Sequence, residues 1–170
     1  MIIWFTGQPN SGKTTLAKEL MLSLSAQPAT FKVCKDGCDC KQELIQVPEL
    51  KYIKHIDGDE LRKLNNNVDY SMDGRRLNVA KAFQMAVELR HKYDYIIVSM
   101  VSPFKDQRDW FKLSEKVVEI YLKSNRERSG KMVDYYEPPT HDYLFIDTDK
   151  NDIKRSVQLI LDYIYKNEQA

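Results

Sequence analysis

The chain has 170 residues, 42% of them apolar and 30% charged, which suits one domain whose core needs neither metal nor disulfide to hold it. Its 26 basic and 25 acidic side chains leave a net charge of +1, which argues against a nucleic-acid partner and an acidic disordered tail but not against a local basic groove. No apolar run approaches the roughly 20 residues of a membrane span, and the N-terminus lacks a basic n-region, so neither a membrane partner nor a leader is expected.

Ile2 to Thr6 is a short apolar run bounded by Gly7 and reads as a buried strand. It passes directly into Gly7-Gln8-Pro9-Asn10-Ser11-Gly12-Lys13-Thr14, the pattern G-x-x-x-x-G-K-T. A helix follows from Gly12 to about Ala26, with Leu16, Ala17, Leu20 and Leu24 on one face. Strand, loop and helix in this order are the context in which the motif cradles phosphate. The glycines allow close approach, backbone N–H groups turn inward, and the helix N-terminus adds partial positive charge. Lys13 is expected to bridge the outer phosphates and the Thr14 hydroxyl to ligate Mg²⁺.

Residues 27–50 carry Pro28, Gly37 and Pro48 and no helical stripe. Asp36-Gly37, between Phe31–Cys34 and Cys38–Cys40, predicts a surface β-hairpin. Cys34, Cys38 and Cys40, with His55 as a fourth ligand, would make a zinc set, but the C-x₃-C-x-C spacing matches no common zinc motif. Free thiols in a hairpin are the preferred reading, and an odd number of cysteines favours a reducing, cytoplasmic location.

Tyr52 to Ile56 is the next strand candidate, ending in His55-Ile56-Asp57-Gly58-Asp59-Glu60-Leu61-Arg62. Ligands of parallel sheets sit outside the carboxyl ends of strands, so Asp57 and Asp59 face the crevice of the phosphate loop. Asp59 is equally well placed to cap the short helix expected over Asp59–Leu64. A longer helix is expected from Arg75 to His91, with Leu77, Ala80, Phe83 and Val87 inward. Tyr93 to Val101 is the most apolar strand and stops at Ser102-Pro103. It has no acidic residue at its end, which leaves Asp57 and Asp59 as the carboxylates available to Mg²⁺ or a proton. Val117–Leu122 and Tyr143–Ile146 complete the strands, and Ile153–Tyr165 closes the chain as a helix carrying Val157, Ile160, Leu161 and Ile164. His91 and His141 read as surface residues. The pattern predicts one α/β domain, a P-loop-type three-layer sandwich around a parallel sheet of about five strands.

With the loop at Gly7–Thr14, the run Asp57-Gly58-Asp59-x-x-Arg62, Leu64-Asn65, Tyr70-Ser71, Arg75-x-x-Asn78 and Ser102-Pro103-Phe104 resembles adenylylsulfate (APS) kinases. Tyr136-Glu137-Pro138-Pro139 and Ile146-Asp147-Thr148 extend the resemblance in the same order. It implies a P-loop kinase that moves the γ-phosphoryl group of ATP to the 3′-hydroxyl of a nucleotide whose 5′-phosphate carries sulfate. Gly7, Asn10, Ser11, Gly12, Lys13, Thr14, Thr15 and Arg126 are then the expected ATP ligands, and Thr14 and Asp59 the expected Mg²⁺ ligands. Asp59 matches the family's catalytic carboxylate, with Lys13 beside it. Arg62, Arg75 and Asn78 match residues that hold the acceptor's phosphosulfate and sugar, and Asp57 lies with them. Tyr70 stands where a Phe stacks on the acceptor's base. Ser102, Pro103 and Phe104 match the acceptor side, and some bacterial members phosphorylate the Ser. Ser102-Pro103 also reads simply as a strand terminator. The family implies a homodimer.

This chain departs from the family in three places. Gly74 and Leu77 stand where Asp and Glu are common, and residues 27–50 are inserted. The basic lid, here about residues 123–135 with Arg126, Arg128 and Lys131, is short and lacks the second aromatic clamp unless Tyr135 replaces it. The altered clamp leaves open the same chemistry on a cytidine diphosphate-type nucleotide or a nucleic-acid hydroxyl. A regulatory module that binds ATP without chemistry is the alternative from another class.

Overall fold

The computed structural model describes residues 1–25, 28–34, 42–48, 50–125 and 132–169. In chain order the elements are β1 (Ile2–Thr6), α1 (Lys13–Ser25), β2 (Pro28–Cys34), β3 (Gln42–Pro48), β4 (Ile53–Asp57) and α2 (Gly58–Leu64). They continue as α3 (Met72–Leu89), β5 (Tyr95–Ser99), α4 (Lys105–Ser114), β6 (Val117–Lys123), β7 (Tyr143–Asp147) and α5 (Ile153–Glu168). Five strands form one parallel sheet in the order β4-β5-β1-β6-β7, as the sequence predicts.

Every residue of β1 is buried, because both faces of this central strand are covered. Ile3 and Phe5 pack with Leu16, Leu20 and Leu24 of α1 and Ile160 and Ile164 of α5. Ile2 and Trp4 turn the other way, to Val79 and Phe83 of α3 and Phe111 of α4. Each such side chain contributes about 1.5–3 kcal/mol when fully buried. Asp57 pairs in register with Ser99, and Ser99 with Phe5, so three strands end side by side. No helix among the described residues is long and apolar enough to cross a membrane.

Three expectations need correction. First, α4 has no counterpart in the sequence reading. Its inward positions include Arg108, 2% exposed, whose Nε donates to Glu119 Oε1 of β6 at 2.7 Å. The buried ion pair puts a charged side chain at an inward position of α4, which hides the helix from an apolar-periodicity search. Second, α3 begins at Met72, where Ser71 caps it by accepting from the Gly74 N–H. Its inward stripe is Asn78, Val79, Ala82, Phe83 and Ala86, so Leu77 (53% exposed) and Ala80 face outward. Third, the inserted hairpin is present, and the strand that pairs with Pro28–Cys34 is Gln42–Pro48, a segment the sequence reading did not name. Cys34 pairs with Gln42, and Asp36, Gly37, Cys38 and Cys40 lie outside the described residues.

Candidate active site

The phosphate loop leaves β1 through a backbone that its side chains permit. Gly7 has φ +143° and Gly12 φ +92°, and a Cβ at Gly7 would stand 2.3 Å from the Leu122 carbonyl oxygen. Asn10 occupies the left-handed region at φ 60°, which Asn tolerates better than most residues. Lys13 lies across the loop, its Nζ donating to the carbonyls of Gly7 (3.0 Å) and Gln8 (2.7 Å). Thr148, just past β7, donates its hydroxyl to the Ser11 carbonyl at 3.2 Å.

Asp57 is the hub of the site. Its Oδ1 accepts from the N–H groups of Asp59 (3.0 Å) and Glu60 (3.3 Å), capping α2. Asp57 and not Asp59 is therefore the N-cap, and Asp59 projects from the first turn, exposed. Asp57 Oδ2 accepts from the hydroxyls of Thr14 (2.8 Å) and Ser99 (3.1 Å). Burial works to raise the Asp57 carboxyl, but these hydrogen bonds outweigh it and hold the group below the usual carboxylate range.

His55 Nε2 lies 2.8 Å from Ser99 Oγ. This hydrogen bond engages the ring. Burial pushes the imidazole down, Asp57 and Glu60 oppose that, and Lys18 and Lys54 add to it. Among the described residues no three His, Cys, Asp or Glu side chains gather as a metal set. Thr14, Asp57 and Asp59 nevertheless offer hard oxygen donors at the loop mouth, which suits Mg²⁺ completed by phosphate oxygens and water.

A cleft of about 610 Å³ opens beside the loop. Asn10, Gly12, Lys13, Thr14 and Thr15 line one side, and Asp57, Asp59, Arg62, Tyr70, Arg75, Asn78, Ser102 and Pro103 line the rest. Arg62 is 7% exposed and donates to the Asp69 carbonyl at 2.7 Å. Its guanidinium lies 4.4 Å from the Tyr70 ring centre, with that of Arg75 5.5 Å away. Tyr70 is held outward by a knot of short hydrogen bonds. Asn67 accepts from the Asp69 N–H, Asp69 from that of Ser71, and Ser71 from that of Gly74. A Cβ at Gly74 would stand 2.4 Å from the Asp69 carbonyl oxygen, so this knot explains the Gly at that position. Asn78 is 2% exposed and donates to the Gly58 carbonyl at 3.3 Å, while its Oδ1 has no hydrogen-bond partner among the described residues.

Other expected site residues are placed differently. Ser102 has φ 45°, is 1% exposed, and accepts at Oγ from Trp4 Nε1 at 2.9 Å. Its hydroxyl is thus engaged by the core, although the residue lines the cleft. Phe104 is buried away from the cleft, under Arg76 and stacked on Tyr135 at 5.7 Å. Tyr135 accordingly does not line the cleft as a replacement clamp. Glu137 caps α4 by accepting from the Lys105 N–H at 2.7 Å. Arg126, Arg128 and Lys131 lie outside the described residues.

The structure adds residues that the sequence reading passed over. Gln8 and Val133 exchange two hydrogen bonds, at 2.9 and 3.0 Å, tying the loop to the chain after residue 131. A second cavity of about 630 Å³ runs along the start of α1, lined by Thr15, Leu16, Thr148, Asp149, Asp152 and Ile153. Gly12 and Thr15, expected as ATP ligands, and the Ile146-Asp147-Thr148 segment were its signals in the sequence.

A five-stranded parallel sheet with this loop between its central strand and first helix defines a P-loop kinase. The family model for adenylylsulphate kinase matches residues 41–133. That span is more than half of the chain, and the chain belongs to this family. The phosphate loop lies before the matched span and stands on its own geometry. The adenylyl-sulfate kinase of Oceanobacillus iheyensis is 25% identical over 187 residues, 96% of this chain and 83% of that one. The fold matches the Mycobacterium tuberculosis APS kinase solved with AMPPNP and APS at a TM-score of 0.69 and 18% identity, covering 96% of each chain. A hexameric APS kinase from Thiobacillus denitrificans matches at 0.68 and 23%, with 97% of this chain and 28% of that one covered.

Proposed function

We propose that this protein transfers the γ-phosphoryl group of ATP to the 3′-hydroxyl of adenylylsulfate. The observation that carries this reading is a single cleft holding two sites. The phosphate loop with Lys13 and Thr14 forms one wall, and Arg62, Arg75 and Asn78 form the other, with Asp57 and Asp59 between them. The curated relatives bear the name of this activity, and one neighbour of the same fold was solved with both nucleotide types.

ATP phosphates lie against Lys13 and the loop N–H groups, and its base end faces the cavity lined by Thr148 and Asp149. Thr14, Asp57 and Asp59 would hold Mg²⁺, which when bound neutralises charge on the β- and γ-phosphates. Phosphoryl transfer has a loose transition state, so positioning and charge stabilisation matter more than a strong base. Asp59, exposed at the cleft, orients the accepting hydroxyl and receives its proton. Arg62 and Arg75 hold the anionic phosphosulfate, and Asn78 completes the cleft wall beside them. Tyr70 offers the acceptor's base a ring already backed by Arg62. Arg126, in the short lid at about 123–135, is kept as an ATP ligand on the resemblance alone.

The proposal treats residues 1–170 as one kinase domain with a non-catalytic insertion at about 27–50. It includes self-association, at least to a homodimer, in keeping with the hexameric relative, and sedimentation velocity reads that state directly. A cytoplasmic location follows from ATP as co-substrate and from the odd cysteine number.

The test is transfer of label from [γ-³²P]ATP to adenylylsulfate, with cytidine diphosphate derivatives and DNA ends as competing acceptors. Labelled 3′-phosphoadenylylsulfate is the expected product. Preferential labelling of another acceptor would overturn the substrate, and no labelled product from any acceptor would leave a nucleotide-binding module.

A further inference from the structure

We propose that His55, acting through Ser99, is a positioning residue that sets the orientation of Asp57 and Thr14 at the Mg²⁺–phosphate site. The inference rests on the kinase reading above and deepens it at one wall of the same cleft.

His55 and Asp57 are two residues apart on β4 and share one face of the sheet. Ser99 ends the neighbouring strand in register with Asp57 and is 3% exposed. His55 Nε2 is 2.8 Å from Ser99 Oγ, Ser99 Oγ is 3.1 Å from Asp57 Oδ2, and Thr14 Oγ1 is 2.8 Å from the same oxygen. These contacts make one unbroken chain from the edge strand to the phosphate loop.

Proton inventory gives that chain a direction. An ionised Asp57 has no proton to donate, so Ser99 and Thr14 must both donate to it. Ser99 has a single hydroxyl proton, so its contact with His55 is satisfied only when Nε2 carries the hydrogen. His55 therefore holds the Ser99 rotor toward Asp57, and the charged acceptor holds the Thr14 rotor in turn. The Thr14 lone pairs are then left for a cation at the loop mouth. Without the imidazole N–H, Ser99 is free to swing, and Asp57 Oδ2 loses one of its two hydroxyl donors. Partners one step removed from a metal typically change metal affinity by about 10–100-fold.

The test measures ADP binding by calorimetry across a Mg²⁺ series and in EDTA, with adenylylsulfate left out. In His55→Val the Mg²⁺ concentration giving half of the Mg²⁺-dependent gain in ADP affinity rises about tenfold, while ADP affinity in EDTA stays unchanged. His55→Gln, which retains an N–H donor, returns to within about threefold of wild type. Ser99→Ala reproduces the His55→Val loss, and the double variant is no worse than either alone. Ser99→Ala also carries the test if His55→Val fails to fold. An unchanged Mg²⁺ requirement in both single variants overturns the inference. So does failure of His55→Gln to rescue, or equal weakening in EDTA. If the wild-type protein binds no ADP, the kinase reading itself falls and takes this inference with it.

Discussion

Replacing Arg108 by Met removes one guanidinium and strands three acceptors in the interior. Arg108 and Glu119 are 2% and 1% exposed, with Nε 2.7 Å from Oε1. Nη1 donates to the Ser102 carbonyl and Nη2 to that of Glu137. Met fills much of the same volume, so the cavity is small and the loss is electrostatic. Breaking a buried pair from one side costs about 3–5 kcal/mol. Lys112 Nζ, 2.8 Å from Glu119 Oε2, stays as a second cation. Arg108→Met therefore falls near the lower end, about 3 kcal/mol. Glu119→Leu leaves both cations without their carboxylate and falls near about 5 kcal/mol. Against a domain stability of about 5–15 kcal/mol, either loss shows plainly. Urea unfolding followed by tryptophan fluorescence measures it, because Trp4 contacts Phe111 at 5.0 Å and hydrogen-bonds to Ser102. The double variant recovers much of the loss, since Lys112 keeps Asp109 at 3.3 Å and no charge is left wholly unpaired. Losses under about 1 kcal/mol in both single variants, or a double-variant loss equal to their sum, would refute the reasoning.

Lys13→Ala lowers phosphoryl transfer at least on the order of 10²–10³-fold in the labelled-ATP assay, and near-normal turnover would sink its assignment. Asp59→Asn slows transfer with ATP affinity largely kept, since Asp57 and not Asp59 contacts the phosphate loop; calorimetry with ATP checks the separation. Gly74→Asp, which installs the residue that the family resemblance leads one to expect there, destabilises the fold and does not improve activity. The new Cβ would stand 2.4 Å from the Asp69 carbonyl, and thermal unfolding compares the two proteins. The folded state holds the Asp57 carboxyl below its usual range, so this group's contribution is fully present above the unfolded value, about 4, and lost as pH falls through the folded one. Urea midpoints between neutral and acid pH should therefore fall less steeply in Asp57→Asn than in wild type.

The phosphate loop was legible because its requirements are local. Gly7 and Gly12 answer to backbone geometry, and Lys13 and Thr14 to a phosphate that sits beside them in sequence. The parallel sheet was legible because strands buried on both faces read as continuous apolar runs, as in Ile2–Thr6 and Tyr95–Ser99. What escaped notice is polar and long-range. Arg108 meets Glu119 across an element boundary, and neither residue tells from sequence that the other neutralises it. Ser102 is a site residue by family resemblance and a strand terminator by its place, and only the structure shows that Trp4, distant in sequence, donates to its hydroxyl. Leu77 looked like core because it is apolar, yet Asn78 claims the inward position at the cleft wall, and its buried Oδ1 has no hydrogen-bond partner among the described residues. That exchange runs against the usual cost of burying an unpaired polar atom, about 1–3 kcal/mol. A folded protein tolerates such a cost most readily where a ligand supplies the missing donor. The inward Asn78 thus stands at the cleft wall at the very place where the apolar pattern of α3 fails.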